Sequence, residues 1–370
     1  MTAHSDVVRS GKTLRGAVIG TGALGRHHAR IMGGLDGVQM VAACDPNETL
    51  GRAAAETAGC DYVPDYRDVL DQIDVASIVV PTGLHRRVAL DCLEAGVDIL
   101  VEKPLAGCVD DGAAIVSAAR QLGRTLAVGH IERFNPAFEA AVTTTGSPKY
   151  IRAERTSPYA FRSTDISVVH DLMIHDIELV LTLAGGGYEG RVEVDRVEAM
   201  GVSLCGGHSD TVQARLHLST GCVADVVANR VSPTVSRSIQ SWSAEGCVSI
   251  DLQARTVDVV GPGPRTLAGD LPLEAAGRGE AIDDLKAAMF AGDGFFTPRS
   301  LDVGEGDALT AELSDFVRAA ASGTAPRVSG EQALAALGVA DRVVESVALH
   351  RWNRTGTAGP NVLLPAKKAA

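Results

Sequence analysis

The hexapeptide Gly20-Thr21-Gly22-Ala23-Leu24-Gly25 stands between an apolar run, LRGAVIG, and a segment with helical spacing from Ala23 to Leu35. A glycine turn joining a buried strand to a helix constrains the fold strongly. The first glycine permits the tight turn, the second lets a ligand approach the backbone, and the third allows close helix–strand packing. Free amides at the helix N-terminus can then meet a phosphate charge. Strand and helix patterns go on alternating through VQMVAACD, TLGRAAAETAG, VASIVV, LHRRVALDCLEAG, VDILVE and the stretch after Asp110. Helices between apolar strands predict an N-terminal Rossmann domain, a doubly wound parallel sheet with right-handed crossovers. Taken alone, the hexapeptide is more often a ligand-free glycine turn; the surrounding pattern favours a dinucleotide.

A chain of 370 residues exceeds the size at which one core stops growing, so two domains are expected. The strand TLAVGH leads to ERFNPAFEAA, where Pro136 suits the first turn of a helix, and the first domain is assigned to 14–135. From Lys149 the character changes. RVEVDRVEAMGVSL, TVQARLHL, GCVADVVANR and GCVSIDL alternate as strands of an antiparallel sheet do. A helix around His170 to Leu183 precedes them. GPGPRTLAGDLPLEAAGRGE reads as a Gly/Pro-rich loop, and helices follow over Gly306–Ala321 and Gly330–His350. The second domain, 136–353, is therefore expected to be α+β with a large, mostly antiparallel open sheet. The segments 1–13 and 354–370 read as tails.

A net charge of −12 with only 4% aromatic residues argues against a nucleic-acid partner, which needs clustered cations and stacking rings. Seven scattered cysteines without a C-x-x-C pair read as reduced core residues. No apolar run is long enough to cross a bilayer, and the opening MTAHSDVVRSGKT has no hydrophobic signal region. The expectation is a cytoplasmic protein with no membrane partner.

The second strand ends VAACD, which puts Asp45 about 20 residues beyond the glycine turn, where a carboxylate holds an adenosine ribose. A 2′-phosphate would be repelled there, and Pro46 and Asn47 supply no cation, so NAD is favoured over NADP. An aspartate opening a turn before proline is the plainer alternative. The fifth strand ends VEKPL, placing Glu102 and Lys103 at the edge where open α/β sheets bind ligands.

Together GTGALG, PTGLH (Pro81 to His85), VEKPL and DLMIHD (Asp171 to Asp176) resemble, in this order, the glucose-fructose oxidoreductase, inositol dehydrogenase and rhizopine-catabolism (Gfo/Idh/MocA) family. The likeness extends to the closing segment PRVSGEQALAALGVADRVVES. It implies an NAD-dependent dehydrogenase acting on CH–OH donors. Lys103 would contact substrate and nicotinamide, His175 would be the acid/base, and Asp171 its catalytic neighbour. Pro81, Thr82, His85 and Glu102 would line the cofactor cleft with Gly20, Thr21, Gly22, Ala23, Leu24, Gly25, Asp45 and Lys103. The chain departs from the family at Val168-Val169-His170, where many members carry glycines.

The chemistry agrees, because oxidising a secondary alcohol needs a base for the hydroxyl proton, and histidine titrates in the useful range. A spacing of four puts Asp171 and His175 on one helical face. An ordinary surface pair or two zinc ligands are the other readings, but no third ligand is evident, so no metal is expected. Arg133, Asn135, Tyr159 and Arg162 are further substrate candidates, alongside Asp171 and His175.

GHIERFNPAF and VVHDLMIHDIELVL are similar to segments of family members that oxidise the C3 hydroxyl of UDP-N-acetylglucosamine. The resemblance thus implies a nucleotide-sugar substrate, with Arg133, Arg155 and Arg162 available for its diphosphate. A dehydrogenase of a free sugar or inositol and a redox-inactive nucleotide-binding sensor are the alternatives. An open sheet with no second covering layer suggests a homodimer, often doubled to a homotetramer in this family.

Overall fold

The fold is that of a computed structural model describing residues 13–161, 166–204, 207–352 and 361–362. Contacts divide these residues into two units, one holding the chain up to Phe134 together with Gly306–Asp341, the other holding Asn135–Glu305 and the chain from Arg342.

The first unit alternates strand and helix: β1 (Leu14–Ile19), α1 (Gly25–Met32), β2 (Val38–Cys44), α2 (Glu48–Ala58), β3 (Asp61–Val63), β4 (Val75–Ile78), α3 (His85–Glu94), β5 (Asp98–Glu102), α4 (Val109–Leu122) and β6 (Leu126–Gly129). All six strands are parallel, in the order β3-β2-β1-β4-β5-β6. Ala17, Val18 and Ile19 are all buried, as expected where helices cover both faces of a parallel sheet. Chain order reverses between β1 and β4, and the crevice at the carboxyl ends of those strands is where such sheets bind ligands. Local chemistry sets the ends of α2. The Asn47 side chain accepts the Leu50 N–H at 3.2 Å, and Gly59 closes the helix in the left-handed conformation.

In the second unit α5 (Pro136–Val142) starts where Asn135 caps it and Pro136 occupies the first turn. β7 (Tyr150–Thr156), α6 (Ile174–Ala184), β8 (Val194–Ser203), β9 (Thr211–Leu218), β10 (Val223–Asn229), β11 (Ser236–Ser243), β12 (Gly246–Asp251) and β13 (Thr256–Pro262) follow. Three short helices come next, α7 (Pro264–Leu267), α8 (Leu273–Gly277) and α9 (Ile282–Ala288), before β14 (Phe296–Ser300). The strand order is β14-β13-β12-β11-β7-β10-β9-β8-β15, where β15 (Asn361–Val362) is a two-residue strand parallel to β8. Among the described residues, only β7–β10 and β8–β15 run parallel in this sheet. Ile151, Ala153, Ala224, Val226 and Ile239 are fully buried on the face toward which α5 and α6 pack.

After β14 the chain returns to the first unit through α10 (Ala308–Ser322), and α11 (Gly330–Leu349) begins there and ends in the second. The sequence reading of 136–353 as one domain is corrected accordingly for 306–341. Leu309, Leu313, Phe316 and Val317 of α10 share a core with Val18, Ala29, Met32 and Leu100, and the Val128 N–H donates to the Val328 carbonyl at 3.2 Å. An amphipathic helix shows that it buries a face, not which core receives it. Two smaller corrections follow the same logic. The expected Gly/Pro-rich loop contains α7 and α8, and the expected tail contributes β15, which pairs with backbone groups of the sheet's outer strand.

Candidate active site

The three glycines of the hexapeptide have different jobs. Gly20 adopts φ +91°, and a Cβ there would lie 2.6 Å from the Val79 carbonyl oxygen. At Gly25 a Cβ would lie 1.9 Å from the Gly20 oxygen, so both are required by the protein's own packing. Gly22 meets nothing within 4 Å. Its bare backbone faces open space beside the start of α1, the cradle a pyrophosphate needs. Thr21 is buried, whereas Ala23 and Leu24 are exposed.

Asp45, just past β2, is tied to this turn. Its Oδ2 accepts the Thr21 N–H at 2.7 Å and the Thr21 hydroxyl at 3.0 Å, while Oδ1 accepts the Asn47 N–H at 2.8 Å. The cation nearest in sequence, Arg52, is paired with Glu48 at 2.8 Å and lies over the Tyr62 ring. These residues fit NAD: the turn would hold its pyrophosphate and Asp45 its adenosine ribose.

Lys103 follows β5 and is half-buried, with a cis peptide to Pro104. Its N–H donates to Oε2 of Glu102 at 3.0 Å. Glu102 is buried, with Oε1 3.2 Å from Nε2 of His28, whose Nδ1 lies 2.8 Å from the Ser77 hydroxyl. Gly129 makes room for it, because a Cβ there would sit 3.0 Å from the Glu102 carboxyl atoms. Pro81 is exposed at the carboxyl end of β4 and Thr82 is half-buried beside it. His85, expected to line the cofactor cleft, is buried. Its Nδ1 and Nε2 each lie 2.9 Å from a backbone carbonyl, of Pro104 and Val80 respectively. It ties the chain just after Lys103 to the chain just after β4, and burial pushes its pKa down despite the two carbonyl acceptors.

In the second unit, residues Val169–Met173 form one π-helical turn that runs into α6, a local widening often found at functional sites. Asp171 lies in that turn and His175 at the start of α6, both half-buried. Two buried ion pairs fix the segment. Arg155 of β7 grips Asp176 with two hydrogen bonds, at 2.8 and 2.9 Å, and both residues are almost fully buried. Arg230 donates to Asp210 at 2.9 Å and to the Ile166 carbonyl at 2.9 Å. His175 therefore sits beside a residue locked to the sheet.

The remaining candidates divide. Asn135 caps α5 by accepting the Ala137 N–H at 3.0 Å and donates to the Leu252 carbonyl at 3.0 Å, so its side chain serves the fold. Arg133 is buried, with its guanidinium 3.5 Å from the Arg327 carbonyl. Tyr159 is half-buried, with the Arg230 guanidinium 5.5 Å from its ring centre. Arg162 lies outside the described residues. Sequence reading missed His28, Ser77 and the Arg155–Asp176 pair, because each partner is remote in the chain. Among the described residues no cluster suits a metal ion, and no helix is long and apolar enough to cross a membrane. Cys108 is exposed, against the expectation of a core thiol.

A six-stranded doubly wound sheet with a glycine turn, an acidic residue after its second strand and a lysine after its fifth defines a nicotinamide-dependent dehydrogenase. The oxidoreductase family with an NAD-binding Rossmann fold, Gfo/Idh/MocA, matches residues 14–130. UDP-N-acetylglucosamine 3-dehydrogenase of Acidithiobacillus ferrooxidans is 33% identical over 310 residues, covering 84% of this chain and 89% of that protein. A solved structure of that enzyme, GnnA, aligns with TM-score 0.78 at 30% identity over 90% of this chain and 97% of the other. The scyllo-inositol 2-dehydrogenase (NAD(+)) of Bacillus subtilis is 28% identical over 239 residues, 60% of this chain and 68% of that one. This chain belongs to the Gfo/Idh/MocA family of oxidoreductases.

Proposed function

We propose that the protein oxidises the C3 hydroxyl of UDP-N-acetylglucosamine with NAD, giving the 3-keto sugar nucleotide. The observation that carries this reading is the 33% identity to a UDP-N-acetylglucosamine 3-dehydrogenase across 84% of the chain, which takes in VEKPL as well as DLMIHD. NAD, when bound, supplies the acceptor for the hydride of the oxidised carbon. His175 takes the hydroxyl proton, and Lys103 donates a hydrogen bond to the same oxygen. Asp171, four residues before His175, orients the imidazole. Glu102 and His85 hold the backbone at Lys103 from either side, so that the amine is presented in one place.

A free sugar or inositol is the second reading, and one observation favours it. Of the arginines considered for a diphosphate, Arg155 is committed to Asp176 and Arg133 is buried. A free polyol needs no such cation.

The test is NADH formation from UDP-N-acetylglucosamine, its uronic acid, glucose and myo-inositol, each with a carbonyl trap to draw off the ketone. Turnover of the first alone is expected. Efficient oxidation of a free polyol with every UDP-sugar inert would replace the substrate assignment, and no NADH from any of them would favour a sensor.

A further inference from the structure

Glu312 is the one acidic side chain among the described residues that has both carboxyl oxygens buried with no hydrogen-bond partner. It lies on α10, on the face that carries Leu309, Leu313 and Phe316, and it is 2% exposed. Its neighbours make the position unusual. α10 packs against α1, which supplies His28, and against residues 131–134, which follow Gly129. His28 and Gly129 both lie against the Glu102 carboxyl group. Two carboxyl groups therefore enter one dry region of the first unit, and the second comes from a segment more than 200 residues away in sequence.

The ionisable groups on the elements around Glu312 can be named in full. From β5 there are Asp98 and Glu102, with Lys103 next to it. α1 brings buried His28, half-buried His27 and exposed Arg26 and Arg30. Buried His130, Glu132 and Arg133 come from the chain beyond β6. On α10 itself are Asp315 and Arg318, and Asp315 is occupied by Arg318 and by the Arg327 N–H. Burial, then the Glu102 charge, then that of Asp315 all push the Glu312 pKa up, well above the usual carboxyl range. An unpaired carboxylate in such a place is strongly disfavoured, and the group takes up a proton instead.

We propose that Glu312 is held protonated beside the Glu102 carboxylate and acts as a positioning residue for the strand end that carries Lys103. The link is geometric. Glu102 is the acceptor for the Lys103 N–H and rests on His28, so whatever displaces Glu102 loosens Lys103. When Glu312 loses its proton, a second negative charge faces Glu102 in a low-dielectric space, and repulsion drives the two apart. The pair thus has divided roles, one carboxylate accepting the backbone hydrogen bond and one neutral acid that lets it stay there. The inference does not depend on which sugar is oxidised.

Its test needs only the protein. In infrared difference spectra of protein with isotope-labelled glutamate, wild type minus Glu312→Gln should show the C=O stretch of a protonated carboxyl group. That band should vanish on alkaline titration, and at lower pH in Glu102→Gln, where the neighbouring charge is gone. In nitrogen-15-labelled protein the Lys103 amide proton, which Glu102 accepts, should move upfield in wild type but not in Glu312→Gln as pH is raised through the loss of the band. Glu312→Met, similar in length and without a proton, serves the same comparison if the amide is not tolerated. Absence of the band at neutral pH overturns the protonated state. A band with identical Lys103 amide titrations in wild type and variant overturns the positioning role.

Discussion

Oδ2 of Asp45 accepts both the backbone N–H and the hydroxyl of Thr21, so the carboxylate at the end of β2 is built into the glycine turn after β1. The acidic residue and the turn are one preorganised element, so a ribose bound as proposed would need little further ordering of the site. Each carboxylate oxygen has two acceptor sites, and Oδ1 uses only one of them, on Asn47.

Asp45→Ala should therefore weaken NADH binding about tenfold, the loss expected for a hydrogen bond to a charged group, and weaken NADPH binding less. Thr21→Val removes one of three supports and should have a smaller effect in the same direction. Fluorescence titration with both cofactors decides the matter. Tighter binding of NADPH by the wild type would take Asp45 away from the ribose.

If the proposed roles at the reacting oxygen hold, Lys103→Met and His175→Asn should each lower turnover by roughly 10²–10⁴ while NADH affinity stays close to wild type. Single-turnover reduction of NAD measures the chemical step directly. A near-normal rate in either variant would remove that residue from the mechanism.

What could be read from the sequence was local. The glycine turn, Asp45 after β2 and Lys103 after β5 each depend on a few consecutive residues at a strand end, where turn chemistry and periodicity coincide. What escaped was pairing between distant segments. SRSIQSWS forms β11 although its residues are mostly polar, because its neighbours β7 and β12 supply the ladder. Glu312 looks like a solvated helix residue until α10 is placed against α1. Arg155 looked available for a diphosphate because nothing near it in sequence is acidic on the same face; its partner, Asp176, lies on α6. His85 looked like a cleft residue because the bend that brings Val80 and Pro104 to its ring is tertiary.

Arg155→Met should destabilise the protein by about 3–5 kcal/mol, since it leaves the Asp176 carboxylate buried without its partner. Replacing both residues, Arg155→Met with Asp176→Leu, should recover much of that loss. Urea unfolding of the two variants provides the comparison. If Arg155 instead served a substrate phosphate, the single variant would unfold like wild type and bind UDP more weakly.

The buried imidazole of His85 gives a pH dependence with a definite sign. Its folded pKa lies below the ordinary value, so below about pH 6.5 the unfolded chain takes up a proton that the folded protein resists, and stability falls with acidification. The contribution is complete above that value and is lost as pH drops through the lowered folded pKa. His85→Gln keeps a donor for the carbonyls without titrating, and its urea midpoint should decline less than that of wild type between about pH 7 and about pH 5. Equal slopes would show that His85 does not govern the acid limb.

The open face of the second sheet carries the last prediction, that two copies associate through it. On β7, Ile151, Ala153 and Arg155 are buried, whereas Tyr150, Arg152 and Glu154 point the other way, where neither α5 nor α6 packs. Tyr150 stacks on Trp242 with ring centres 5.2 Å apart, and its hydroxyl donates to Asp225 at 2.8 Å. Arg215 grips the same carboxylate at 2.7 Å and holds it below its usual pKa range. Beside them is a hollow of about 610 Å³ bordered by Glu198, Met200, Gln213, Arg215 and His350. An aromatic pair next to a satisfied arginine–carboxylate pair has the composition of an interface centre, with Trp, Tyr and Arg the side chains that contribute most there. Trp242→Asp should consequently weaken self-association by at least about 2 kcal/mol, enough to turn a dimer into monomer at micromolar concentration, while NADH binding to the first unit persists. Light scattering after gel filtration reads the mass of wild type and variant. A wild type that is already monomeric, or a Trp242→Asp protein with unchanged mass and normal folding, would show that this face is not where the copies meet.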